Sequence, residues 1–502
     1  MLKKIPVFLS ALLLATSPVL AANLLETRTY ALSMETYLRT DLVTYKNVDD
    51  LNSKNKDDHT TYIGIDYSLS WDLKPKEDGP EFYLKFERHG PGDYSAPLFI
   101  NNTLINSGGR IEKYRNTQLL PDLEEAWIDA PLVKGFGFKA GLYTYEVANG
   151  FSLNGAYKNY GATLYQELDS VRWRIYYCRP EIYYKHKPGP KVPQDAAQGY
   201  EYNTNASNFF SLDARFGRGE NYIQPYIGVL ADYTSSGKRD NIFSAPVKED
   251  LLGTIGFGGA VKNDKLFGKF ELAHNFGEGL STDSSYKNIT HTGYFAYAEA
   301  GAYIKKFSPS IQFLLASGNK VSPDEAQDST LPGGKNRAFS SYSPLNQNLG
   351  DTISAANAEA RPVVLMGAGF GLHNGLPRPK SLADSDFDNL IMPSIGMDID
   401  LTQKLKVGLR NYYAMSFARP VGMLDDNAVY LSRELGDEID FWADYKLNKN
   451  ITLSFLGGYF FPGAYYKENR SDTDGSLLSP CVSGSGDPDS AFQLEFSVEC
   501  TF

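Results

Sequence analysis

From Gly436 to Gly463 the chain alternates apolar and polar residues through two runs, each longer than an ordinary strand. Ile439, Phe441, Ala443, Tyr445 and Leu447 interleave with Glu438, Asp440, Trp442, Asp444 and Lys446. After Asn448-Lys449-Asn450 the pattern resumes with Ile451, Leu453, Phe455, Gly457, Tyr459 and Phe461 on one face. A side-chain period of two makes this a β-hairpin with one mostly apolar face. Each run covers about 10–12 residues, against about 5–6 for the strands of ordinary globular domains. A tilted strand needs roughly 9–11 residues to cross a bilayer. The final segment repeats the design, with Phe492, Leu494, Phe496, Val498, Cys500 and Phe502 alternating with Gln493, Glu495, Ser497, Glu499 and Thr501. Strands of this length with one apolar face predict an outer-membrane β-barrel.

The alternation recurs from end to end. Ile63, Ile65, Tyr67, Leu69, Trp71 and Leu73 oppose Gly64, Asp66, Ser68, Ser70 and Asp72, and Trp173, Ile175 and Tyr177 oppose Arg172, Arg174 and Tyr176. Further runs at about 32–41, 82–87, 122–130, 136–146, 158–166, 210–216, 222–233, 251–262, 266–277, 290–304, 309–317, 391–401 and 404–415 bring the expected count to eighteen. An even count puts both chain ends on the periplasmic side. Connections alternate in length as well. Glu167-Leu168-Asp169, Asn263-Asp264, Gln403 and Asn448-Lys449-Asn450 are tight, whereas about 89–121, 184–206, 416–435 and 462–490 are long. Short periplasmic turns against long external loops are the asymmetry of this architecture. The stretch 318–390 breaks the rhythm and is too long for an ordinary loop. It carries the apolar run from Val363 to Phe370 and is expected either to add a hairpin or short helix outside, or to fold inward and narrow the pore.

The fold class expected is therefore all-β, a single 18-stranded antiparallel transmembrane barrel over residues 22–502. Residues 1–21 read as a secretory signal, with Lys3 and Lys4 ahead of the apolar stretch Ile5 to Ala15 and a small-residue cleavage site ending at Ala21. Mean hydropathy is −0.35, which disfavours a helical membrane protein and leaves a barrel with polar lumen and loops open. Aromatic residues make up 13%, in keeping with girdles at both membrane interfaces. A net charge of −11 without a basic cluster gives no reason to expect a nucleic-acid partner. Cys178, Cys481 and Cys500 are three and widely spaced, so neither a disulfide framework, a Cys481–Cys500 bridge nor a metal site is expected. Six histidines fall mostly in loops or at strand ends with no nucleophile spacing that demands a triad, so no enzyme and no cofactor is expected.

Gly436-Asp-Glu-Ile-Asp440, the stretch from Asp444 to Leu453 and the segment Gly457 to Gly463 that ends in Phe-Pro-Gly resemble the alginate-export family of outer-membrane barrels. Ala316-Ser317-Gly318-Asn319, with Phe339 to Leu345 beyond it, is similar to that family's small-residue turn and following loop. The resemblance covers the chain after about residue 310. It implies an eighteen-stranded barrel and a passage for solutes, in the family's best-known members an anionic polyuronate moving past arginine and lysine.

If the apolar face meets lipid, its partners surround enclosed water. The expected lining is Arg39, Lys85, Arg172, Arg174, Arg215, Lys269 and Arg410, with Asp440 and Asp444 among the acids. An anion path needs a ring of Arg or Lys at its narrowest point, and Arg172, Arg174, Arg215 and Arg410 are the candidates. The bland alternative is that these bases only neutralise cross-strand carboxylates. The function expected is passive diffusion of a hydrophilic solute, with anionic and polysaccharide solutes as the candidates, through a monomer in the outer membrane of a Gram-negative bacterium. The alternatives are a general or substrate-specific porin unrelated to polysaccharide export, and a receptor or adhesin with an occluded lumen.

Overall fold

The computed structural model describes residues 22–26, 29–46, 59–77, 79–88, 103–105, 111–113, 122–179, 207–232, 247–281, 288–320, 322–323, 334–339, 389–424, 427–468 and 488–502. The expected signal over 1–21, Cys481 and the run from Val363 to Phe370 lie outside them.

Eighteen strands form the wall. They are β1 (Tyr30–Lys46), β2 (His59–Pro75), β3 (Glu81–Arg88), β4 (Asp122–Val133), β5 (Phe136–Glu146) and β6 (Asn154–Leu168). Next come β7 (Val171–Arg179), β8 (Ser207–Arg218), β9 (Asn221–Asp232), β10 (Val247–Lys262), β11 (Leu266–Ser281) and β12 (Tyr294–Ala302). The series ends with β13 (Phe307–Ala316), β14 (Leu390–Asp400), β15 (Leu405–Met415), β16 (Glu434–Lys446), β17 (Ile451–Pro462) and β18 (Ala491–Thr501). Each pairs antiparallel with the next, and β18 returns to β1, where Tyr37 meets Thr501 and Lys46 meets Phe492. This pairing closes the sheet and leaves no strand edge to solvate in lipid. Below that contact the start of β1 runs on past the end of β18, and Ala22–Glu26 pairs with it from Met34 to Ala31.

The period of two sorts the side chains as read from sequence. Ile255 is 51% exposed, Ile311 58% and Ile395 63%, and Ile175, Phe210, Leu212 and Leu409 share that outer surface. Water-soluble monomers rarely expose contiguous apolar patches beyond a few hundred Å², so a belt of such residues around a closed barrel fits hydrocarbon. The chain is an outer-membrane β-barrel. No helix among the described residues is long and apolar enough to cross a membrane.

Two local expectations are corrected. The turn expected at Glu167 to Asp169 is tighter, because β6 continues to Leu168 and only Asp169 and Ser170 turn. The run expected as one strand over 290–304 is broken at Thr292 and Gly293. Ile289–His291 touches β11 at Glu278 and Gly279, and it also pairs in parallel with Lys335–Asn336 of the long loop. Gly293 makes the break possible, since a Cβ there would lie 2.2 Å from the Ala338 carbonyl oxygen. The connections expected to be long at 89–121, 416–435 and 462–490 are long, and they carry small elements: a ribbon of 103–105 with 111–113, a hairpin of 421–424 with 427–430, and the five-residue helix α1 (Ala464–Glu468). Cys178 and Cys500 are buried free thiols.

Candidate functional site: the lumen

The register places three arginines together on the inner face. Arg172 of β7 stands opposite Arg215 of β8, and Arg174 stands opposite Asp213. Asp213 is 1% exposed and collects Arg174 Nε at 3.0 Å, the Tyr145 hydroxyl at 2.7 Å and Gln224 Nε2 at 2.7 Å. Arg174 also donates to the Glu146 carbonyl at 2.7 Å, so its guanidinium is committed to the wall. Arg215 lies 3.7 Å from the Tyr222 ring centre and donates to the Gly219 carbonyl. Arg172 differs from both. Its nearest carboxylate is the exposed Glu167 at 3.8 Å, and its Nε, buried from solvent like that of Arg410, has no hydrogen-bond partner among the described residues.

The other expected lining residues share the inner face but do not join this group. Arg39 is bound by Asp41 at 2.7 Å, by Glu495, and by Glu499 at 3.5 Å. Lys85 pairs with Glu87. Arg410, 6% exposed, donates to Ser394 Oγ at 3.2 Å and Ser310 Oγ at 2.5 Å, and it stands opposite the fully buried Asp440. Lys269 is level with Glu299 of β12, and Asp444 with Lys406 of β15. Lys406 itself binds Asp398 at 3.1 Å. Lys139, another inward base, sits 3.4 Å above the Trp127 ring.

Two segments fold in from the long-loop end. The connection Val147 to Leu153 is only seven residues, and its backbone converges on Glu271 of β11. The N–H groups of Asn149 and Ser152 donate to that carboxylate at 3.0 Å each, and Phe151 N–H at 3.4 Å. The Tyr226 hydroxyl adds a bond at 2.9 Å, and Asn149 Nδ2 donates to the Phe270 carbonyl at 2.7 Å. A carboxylate with no exposed surface would be costly without such donors. Gly258 gives the segment its seat, because a Cβ there would stand 2.6 Å from Ala148 Cβ. The second segment, 334–339, is fixed through the side chain of Asn336. Asn336 Nδ2 bonds His291 Nδ1 at 3.2 Å, while its Oδ1 accepts from Asn319 Nδ2 at 2.9 Å and Ala338 N–H at 3.1 Å. His291 Nε2 in turn is 2.7 Å from Asp250.

These segments correct the expectation of ionised groups all round enclosed water. Phe151 lies 5.4 Å from Phe295 and 4.4 Å from Tyr297, both inward on β12, and Phe339 stacks on Phe295 at 5.1 Å. Tyr412, Phe460, Tyr465 and Tyr466 belong to the same buried cluster. A second cluster, built on Tyr145 stacked on Tyr176 at 3.9 Å with Phe209 and Leu153, lines β5 to β8. Period two separates two faces but does not say which is lipid-facing where both carry aromatics. The brevity of 147–153 among long external loops was the one sequence signal for its inward course.

No family model matches the chain, and no curated protein does. The likeness to alginate-export barrels therefore rests on the stretches quoted above. The fold is similar to solved porins. OccK9 (OpdG) of Pseudomonas aeruginosa gives a TM-score of 0.49 at 10% identity, over 94% of this chain and 98% of that one. OccK2 (OpdF) of the same organism, solved in complex with glucuronate, gives 0.47 at 9% identity over 94% and 98%. OccAB3 of Acinetobacter baumannii gives 0.47 at 11% identity over 93% and 99%.

Proposed function

We propose that this barrel is a selective outer-membrane channel for small, hydrophilic anions that pass along β7 and β8. Arg172 carries the reading. It is the inward arginine held by a single long ion pair, at 3.8 Å, with 28% of its side chain open, and two further cations, Arg174 and Arg215, flank it. A guanidinium fork of this kind matches a carboxylate or phosphate. A wall of eighteen strands leaves room for an aqueous passage even with inward loops. Small solutes fit better than a polyuronate chain. A polymer needs a continuous basic track, and Arg39, Lys85 and Arg410 are already bound by neighbouring groups.

The test is uptake by liposomes containing the full-length barrel. Succinate should enter faster than an uncharged or cationic solute of equal size. Arg172→Gln should cut that preference by about tenfold, as expected for losing one charge-assisted pair, without slowing the neutral solute. Equal uptake of all three solutes would remove the anion reading. A receptor with an occluded lumen is the second reading, favoured by the packing of Phe151, Phe295 and Phe339 inside the wall. It predicts no uptake of any solute.

A further inference from the structure

The periplasmic turns are unlike one another in charge. Those at 263–265, 303–306, 401–404 and 447–450 follow in succession beneath β10 to β17. Together they carry Lys265, Lys305, Lys306, Lys404 and Lys449 against one acid, Asp264. The turns at 76–80, 134–135, 169–170 and 219–220 carry Lys76 and Lys134 against Glu77, Asp78, Asp169 and Glu220. In a chain with a net charge of −11, the lysine-rich arc runs against composition.

The arc is also held in place. Tyr303 N–H donates to the Lys265 carbonyl, Asp400 N–H to that of Lys306 and Lys446 N–H to that of Lys404, each at 2.8 Å. Lys306 Nζ reaches the Leu401 carbonyl of the next turn at 3.2 Å, and Lys404 Nζ reaches that of Leu447 at 3.1 Å. These acceptors are neutral. No carboxylate among the described residues pairs with any of the five lysines. Leu266, Ile304, Leu401 and Leu447, in or beside the same turns, each leave about half of their surface open. Apolar side chains at the turns bring the hydrocarbon boundary down to the rim, which sets the neighbouring ammonium groups at headgroup depth.

We propose that this arc binds the phosphodiester headgroups of anionic phospholipid in the periplasmic leaflet. The ligand chemistry is a monoanionic phosphate tethered in a plane. Several fixed cations facing that plane gain from every headgroup at once, with each lysine near an anionic surface contributing on the order of a fivefold increase in affinity.

Native mass spectrometry of the full-length barrel tests this, with micelles containing equal amounts of phosphatidylglycerol and phosphatidylcholine of one chain length. The unmutated protein should retain phosphatidylglycerol over phosphatidylcholine by about tenfold or more. Replacing the five lysines by Gln should abolish the preference, whereas replacing them by Arg, or replacing only Lys76 and Lys134 by Gln, should preserve it. Inorganic phosphate at the same phosphorus concentration should not displace the lipid. Equal retention of both lipids by the unmutated chain, which requires no variant to fold, would overturn the proposal. So would a preference that survives the five Gln substitutions. Displacement by inorganic phosphate would also overturn it, since the arc would then collect free anions.

Discussion

Two parts of the inner wall are near mirror images in charge. On β7 and β8 three arginines stand near one buried carboxylate, Asp213, which pairs with Arg174 alone, whereas on β1 and β18 one arginine, Arg39, is held by Asp41, Glu495 and Glu499. In the first, the acid is consumed and Arg172 is left over. In the second, the base is consumed. The tally of inward acids and bases therefore says little about which ion a solute meets. What matters is which charge remains after the wall has satisfied itself, because a buried ion persists only when paired or fully hydrogen-bonded.

The sharpest way to break this comparison is to remove the acid from the basic side. Asp213→Asn leaves Arg174 without its carboxylate and weakens the acceptor of Tyr145 and Gln224. Breaking a buried ion pair in this way should cost about 3–5 kcal/mol, seen as a lower urea midpoint for the lipid-reconstituted barrel. An unchanged midpoint would mean that the arginine group does not depend on its acid.

A middle-sized effect is expected at Glu271, where Gln keeps one acceptor but turns an amide donor toward backbone N–H groups. The loss should be about 1–3 kcal/mol, and the segment 147–153 should loosen from the wall. Single-channel conductance should then rise, and Gly258→Val should raise it too by filling the seat of Ala148. Unaltered conductance in both variants would show that this segment does not limit the passage.

Arg39→Gln is read in selectivity rather than in stability, because it leaves the largely buried Asp41 and Glu495 without their base. Its use is as a contrast. It frees carboxylates on the acid side and should shift ion preference toward cations, whereas Arg172→Gln removes the free cation on the other side. Shifts that fail to add in the double variant would deny that the two walls act separately.

Much of the barrel was legible in sequence because lipid enforces a period of two that water does not. Ile175 among Arg172, Arg174 and Tyr176 shows the rule, and Ile395 between Ser394 and Gly396 shows it again. The break at Thr292 and Gly293 was hidden, since the alternation passes through it and its partner, Lys335–Asn336, lies in the long loop. The brevity of 147–153 hints at its inward course, but its anchor was hidden for a similar reason. Its anchor Glu271 is 122 residues from Asn149, and nothing local to either marks the pair. Arg172, Arg174 and Arg215 were readable as inward, but the hub at Asp213 that distinguishes Arg172 from its neighbours required register. The inward aromatics Phe295 and Tyr297 escaped because the alternating Ala296 and Ala298 leave no apolar face to read, whereas Phe460 falls on the inner face by its parity against Tyr459 and Phe461.

The most direct measurement is the reversal potential of the reconstituted, unmutated barrel in a planar bilayer under a potassium chloride gradient. The account predicts a measurable current with a reversal potential of the sign set by chloride, and a shift toward the potassium side in Arg172→Gln. A silent bilayer, or a potential set by potassium in the unmutated protein, would contradict it.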